Sequence, residues 1–157
     1  MEHSAFDASP VLVTGASGFV GSAIAATLRA AGHRLRVLLR PSSPRANISP
    51  LDTVYEGDLR DRSSLAAALK GVRFVFHAAA DYRLWARDPE DLVRNNIEGT
   101  RLVMEEALRA GVERIIYTSS VATLRLTDGV PATESQPLSV DEAIGRASCR
   151  ERVSKQV

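Results

Sequence analysis

Val11-Leu12-Val13-Thr14-Gly15-Ala16-Ser17-Gly18-Phe19-Val20-Gly21 decides the fold. The apolar run Val11 to Val13 is too short for a helix and is rich in β-branched residues, which marks a buried parallel strand. Three glycines follow in the spacing Gly-x-x-Gly-x-x-Gly. Beyond them Val20, Ile24, Leu28 and Ala31 recur at helical spacing, and Gly32 supplies a stop. The order is strand, tight glycine turn, helix. Such a turn aims a helix N-terminus, with unsatisfied N–H groups and partial positive charge, at the space above the strand. A pyrophosphate is the usual occupant, and a glycine-rich turn without a ligand is the plainer alternative. Each glycine has its own task. Gly15 turns the chain off the strand, Gly18 lets backbone approach the phosphates, and Gly21 lets the helix pack closely on the sheet.

Working outward, 35–39 reads as a second strand ending at Arg40 and Pro41. The loop 41–50, rich in Pro, Ser and Asn, is irregular. A third strand at 53–56 closes on Gly57-Asp58-Leu59. Asp61 N-caps a helix carrying Leu65 and Leu69, with Gly71 past its end. A fourth strand at 73–77 runs into Ala78-Ala79-Ala80, and a loop at 81–87 holds Tyr82 and Trp85. Asp88-Pro89-Glu90-Asp91 opens a long helix, with Asp88 as N-cap and Val93, Ile97, Met104 and Leu108 on one side. A fifth strand spans 113–119. Strands alternating with helices imply an α/β, doubly wound (Rossmann) parallel sheet in the order 3-2-1-4-5. The winding reverses beside the first strand, and ligands bind there, at the carboxyl ends of the strands. Gly15, Ala78 to Ala80 and Ser119-Ser120 all fall at such ends.

Composition narrows the class. The chain has 157 residues, one domain's worth, 45% of them hydrophobic and 25% charged. A net charge of +1 makes no electrostatic case for nucleic acid or an anionic membrane. No apolar run is long enough for a membrane span, and residues 1–9 read as a flexible leader with no secretory signal. The single cysteine, Cys149, has no partner within the chain, which fits a reducing, cytoplasmic compartment. No metal-ligand spacing is present.

Thr14-Gly15-x-x-Gly18-x-x-Gly21, Gly57-Asp58-Leu59, His77-Ala78-Ala79-Ala80, Asn96-Ile97-Glu98-Gly99-Thr100 and Tyr117-Thr118-Ser119-Ser120 together resemble the extended short-chain dehydrogenases/reductases, the NAD-dependent epimerase/dehydratase family. Within it, 79–85 and 117–124 resemble the branch of dihydroflavonol-reductase-like proteins and hopanoid-associated sugar epimerases. The resemblance implies an NAD(P)-binding Rossmann domain over 10–143, a small-molecule substrate, and a homodimeric full-length parent. It places Gly15, Gly18, Phe19, Val20 and Gly21 along the pyrophosphate. Asp58, with Leu59 beside it, would accept from the adenine amino group, or Asp58 serves only as a turn residue. Ala78, Ala79 and Ala80 would run under the cofactor, or are small only for packing. Ser120 would be the catalytic serine, with Ser119 beside the cofactor and as the fallback. Asn96 would help arrange a proton-relaying water, or lie on an exposed helix face. Tyr82 and Trp85 would face the substrate. Where an acid would pair with the ribose of NAD, this chain has Arg40, with Arg45 as a possible second cation. NADP is therefore favoured over NAD, against the alternative of a surface arginine.

One expected pair is missing. The family's proton donor is a tyrosine four residues before a lysine, whose charge lowers the tyrosine's pKa. The tyrosines here are Tyr55, Tyr82 and Tyr117, followed four residues on by Leu59, Ala86 and Val121, and the only lysines are Lys70 and Lys155. Where the pair is due, residues 144–153 instead match the translation of a common sequencing adapter. The expectation is that 144–157 is not native sequence, and that the Rossmann domain is incomplete, cut before the catalytic helix and the substrate-binding part. Such a chain would keep the dinucleotide crevice, but it is expected to be poorly soluble and inactive. A non-catalytic NAD(P)-binding sensor module is the alternative function.

Overall fold

β1 (Val11–Thr14) is buried at all four positions, because helices cover both faces of the sheet it centres. β2 (Leu35–Leu39), β3 (Thr53–Glu56), β4 (Phe74–His77) and β5 (Arg114–Tyr117) join it in one parallel sheet of order β3-β2-β1-β4-β5, the expected doubly wound arrangement. The structure is a computed structural model that describes residues 9–81, 89–120 and 123–137. It forms two compact units, Met1–Thr118 and Ser119–Val157. The expected roles of Tyr82, Trp85 and the Asp88 cap, and the 144–157 tail, lie outside the described residues.

Alternation along each strand sorts the core into two layers. Leu12, Leu38 and Val75 face α2 (Arg62–Leu69) and α3 (Pro89–Arg109), meeting Leu65, Leu69, Leu102 and Val103. Val11, Val13 and Val37 face α1 (Phe19–Ala30), meeting Ala25 with Ile24 and Leu28 packed alongside. The register sets Thr14 beside Leu38 on one side and His77 on the other, so the carboxyl ends of three strands are level.

Four details differ from the sequence expectation. The fourth and fifth strands are shorter, starting at Phe74 and ending at Tyr117. Pairing with β4 stops at His77, leaving Ser119 and Ser120 beyond the strand rather than at its end. Val20 is 47% exposed and Ala31 lies past the helix, while α1 buries Gly21 and Ala25. Small residues let that helix sit close. In α3 the Ile97, Met104, Leu108 stripe is not the packed face: Ile97 is 55% and Leu108 82% exposed. The helix buries Gly99, Leu102, Val103, Glu106 and Ala107 instead. Periodicity weighted by side-chain size passes over a stripe containing glycine, alanine and a carboxylate. Glu106 is buried there because Arg62 and Arg109 pair with it.

The second unit contains a small antiparallel hairpin, bridged at Leu124–Pro137 and Thr127–Val130. It turns at Asp128-Gly129, where Gly129 has φ +74°.

Candidate functional site

A crevice of about 520 Å³ opens at the carboxyl ends of the central strands. Its floor is the turn Gly15, Ser17 and Gly18. One end is formed by Leu39, Arg40, Ser43 and Asp58, and the other by Ala80, Asp81 and Asn96. That volume lies in the range of small-molecule and cofactor sites.

The floor is made of backbone. Gly15 has φ +75°, and a Cβ there would lie 2.6 Å from Ala79 N. Turn and strand end therefore touch main chain to main chain, which requires glycine. At Gly21 a Cβ would sit 2.1 Å from Gly15 O, so this glycine brings the helix against the turn, a more specific contact than the expected one with the sheet. Gly18 is the N-cap of α1 with φ −86°, and a Cβ there would meet only Gly15 O at 3.4 Å. No side chain caps this helix and its first turn holds no acid. The first helical hydrogen bond is donated by Ser22 N–H to Gly18 O, at 2.9 Å, so the amides ahead of it have no partner within the helix. An anion satisfies such amides, and the residues present fit a dinucleotide's pyrophosphate. The Phe19 and Val20 side chains do not share the crevice. Phe19 is 87% exposed, and both line an apolar surface with Ile24, Leu28 and Phe76. Only their main chain is available to the phosphates.

At the first end, Arg40 is exposed and lines the crevice. Arg45, the possible second cation, is paired with Glu56. Arg60 lines the crevice instead, and its guanidinium donates to Asn95 Oδ1 at 2.9 Å. Asp58 Oδ1 accepts Arg60 N–H at 2.9 Å, so Asp58 does serve its own turn. Asn47 donates to Ser17 O at 3.0 Å, tying the loop after β2 to the glycine turn. Leu59 points into the core and touches the position of a Gly99 Cβ at 3.2 Å.

Beneath the other end lies His77, fully buried. Its Nδ1 is 2.6 Å from Thr14 Oγ1 and its Nε2 is 3.2 Å from Thr100 Oγ1. Ala79 N–H donates to Thr14 Oγ1 at 3.4 Å. The donor and acceptor roles of the two hydroxyls follow the tautomer of the neutral ring, one ring nitrogen donating and the other accepting. Burial pushes the imidazole pKa down to about 4, and Tyr117 stacks on it at 5.4 Å. The ring is neutral and structural, with no proton to offer near pH 7.

Asn96 reaches the crevice from α3. Its Oδ1 accepts Asp81 N–H at 2.7 Å and its Nδ2 donates to Asp81 O at 2.8 Å. Ser119 and Ser120 are exposed and belong to the second unit, where Ser120 O accepts Thr123 N–H at 3.0 Å. The structure thus brings together Gly15, Gly18, Arg40, Asp58, Leu59, Ala78, Ala79, Ala80 and Asn96 in or against one crevice. Sequence reasoning missed Ser17, Ser43, Arg60 and Thr100. Ser17 and Thr100 lie inside quoted motifs and Arg60 adjoins one, which is the available signal. Among the described residues, no group of three His, Cys, Asp or Glu could hold a metal, and no helix is long and apolar enough to cross a membrane.

Residues 11–142 match the model of the NAD dependent epimerase/dehydratase family. The chain is similar to dihydroflavonol 4-reductase of Zea mays, 34% identical over 75% of this chain and 36% of that protein. The crystal structure of gox2253 superposes with a TM-score of 0.79 at 52% identity, covering 92% of this chain and 46% of that one. UDP-glucose 4-epimerase of Thermus thermophilus, in complex with NAD, gives a TM-score of 0.74 at 28% identity, covering 92% and 50%. The chain spans half or less of the length of these proteins.

Proposed function

Because the chain belongs to the NAD dependent epimerase/dehydratase family, we propose that it is the dinucleotide-binding part of an NAD(P)-dependent reductase or epimerase acting on a carbonyl or sugar-type substrate. One observation carries this reading. The uncapped N-terminus of α1 opens on a floor where Gly15 and Ala79 leave no room for a side chain. A pyrophosphate fits there, its charge met by free amides and the helix dipole.

When bound, the nicotinamide supplies the hydride chemistry. This chain's residues bind and orient. Gly18, with no Cβ, lets the diphosphate approach the first amides of α1 that hold it, and Asp58 faces the adenine. Arg40 favours the 2′-phosphate of NADP over the hydroxyl of NAD, being exposed at the crevice end and, among the described residues, not engaged by an acid as Arg45 is. Ser120, or Ser119 beside it, hydrogen-bonds the substrate oxygen in the whole protein. The Tyr-x-x-x-Lys pair is supplied by sequence this chain does not carry, residues 144–157 being adapter-derived. On that reading the chain binds dinucleotide without turnover, and the parent is a cytoplasmic homodimer.

Titration of the chain with NADPH and NADH, read by nicotinamide fluorescence, tests this. NADPH binds the more tightly, and Arg40→Ala weakens NADPH about tenfold while leaving NADH within about twofold, as loss of one charge-assisted contact implies. Failure to bind either dinucleotide overturns the reading. Equal losses for both overturn the NADP assignment alone.

A further inference from the structure

We propose that Asn95 is a positioning residue for Asp58, acting through Arg60: it draws the guanidinium across the end of the crevice and so keeps one carboxylate oxygen open to a ligand N–H. The binding arm of its test rests on the reading that Asp58 faces the adenine; the spectroscopic arm does not. All three residues line the crevice. Asp58 Oδ1 accepts the Arg60 main-chain N–H at 2.9 Å, and Arg60 Nε stands 3.4 Å from the same oxygen. Ser64 Oγ accepts Asp58 N–H at 3.3 Å, which steadies the main chain beneath the carboxylate. Oδ1 thus serves its own turn, while among the described residues Oδ2 has no partner. Arg60 Nη1 does not follow Nε to the carboxylate. It donates instead to Asn95 Oδ1 on α3, at 2.9 Å.

The fork of an arginine matches a carboxylate with two parallel N–H bonds, and an arginine with no other acceptor in reach closes on a neighbouring carboxylate in that way. Closed so, Arg60 would occupy both oxygens of Asp58. Asn95 takes the outer arm of the fork and leaves one long contact. The helix explains the placement. Gly99 lets α3 approach the 58–60 segment, its Cβ position lying 3.2 Å from Leu59 Cβ. Asn95 stands one turn earlier on the same face, half-buried, so the consecutive residues Leu59 and Arg60 meet helix positions four apart. A neutral amide oxygen holds the guanidinium without adding charge beside the ligand. The open Oδ2 then discriminates by its own chemistry. A carboxylate oxygen only accepts, so it takes an amino group and repels a carbonyl oxygen. Adenine carries an amino group at the ring carbon where hypoxanthine carries a carbonyl.

Binding of NADPH and of its hypoxanthine analogue to the 157-residue chain, read by nicotinamide fluorescence, measures the open oxygen. The unsubstituted chain prefers NADPH about tenfold. Asn95→Ala, a change that suits a helix, brings the preference below about twofold. Removing the arginine as well restores it: Asn95→Ala combined with Arg60→Ala prefers NADPH at least about fivefold, because no guanidinium is left to close on Asp58. Asn95→Asp keeps the acceptor and keeps the preference. An Asn95→Ala chain with the full preference overturns the proposal. So does a double variant that stays below about twofold, since a second deletion does not rescue a crevice that has merely loosened. The carboxyl carbon signal of Asp58, read by NMR without ligand, gives the second arm. Asn95→Ala shifts it, and the double variant matches Arg60→Ala alone. A signal that Asn95→Ala leaves unmoved overturns the proposal, as does a shift that persists when Arg60 is already alanine. If the unsubstituted chain binds the two dinucleotides equally, or binds neither, the adenine reading falls and the carboxyl signal alone decides Asn95.

Discussion

His77 shows how one buried side chain ties stability to acidity. Its pKa is pushed down to about 4 by burial. The unfolded chain takes up a proton near the ordinary value of about 6.5, and the folded chain does not until near 4. Between those values the unfolded state binds more protons, so stability rises with pH across that window and falls on acidification. The loss expected from pH 7 to pH 4 is about 3 kcal/mol. Urea midpoints across that range check it. A His77→Gln variant, starting less stable, loses little over the same interval, and an equal slope in both chains removes His77 as the cause. At this scale the sequence was legible where a residue acts through main chain or a fixed motif, as Gly15 does. It was not legible where partners meet only through the fold. Nothing adjacent to Arg45 announces Glu56, and nothing adjacent to His77 announces Thr14 and Thr100.

Elements were legible to the extent that punctuation marks them. The β2 and β3 spans, the Asp61 cap and the Gly71 stop all follow from local chemistry, and Asp61 accepts Ser63 N–H at 3.0 Å. Facing was harder. In α1 and α3 the packed stripe is the one with small residues, since close approach rather than side-chain bulk seats those helices. Gly21 and Gly32, at the two ends of the α1 region, separate the two uses of glycine. Gly21 gives clearance, with Gly15 O at 2.1 Å from a notional Cβ, whereas Gly32 has φ +85° and open space around it. Gly21→Ala therefore displaces helix from turn, at about 3 kcal/mol, while Gly32→Ala carries only backbone strain, about 1 kcal/mol. Denaturant titration of the two variants checks the order, and a Gly32→Ala change that costs more than Gly21→Ala would falsify it.

The whole molecule repeats the lesson at larger scale. Strand order followed from alternation and handedness alone. The site is less legible: Ser119 and Ser120 fall in the second unit, and no tyrosine in the sequence stands four residues before a lysine. The proposal about residues 144–157 has its own test: source DNA read past codon 143 carries Tyr-x-x-x-Lys within a few codons. Source DNA that encodes Arg146 onward as written removes both the adapter reading and the catalytic role of Ser120. Meanwhile β5 pairs only with β4 among the described residues, with Ile116 39% and Tyr117 50% exposed. Its outer N–H and C=O groups form a template that another copy can extend. Pairing of a second copy at that edge would give folding a mass-action character. Each chain that adds to the edge withdraws a monomer from the balance with the unfolded state, so a melting temperature taken at one dilution describes that dilution and no other.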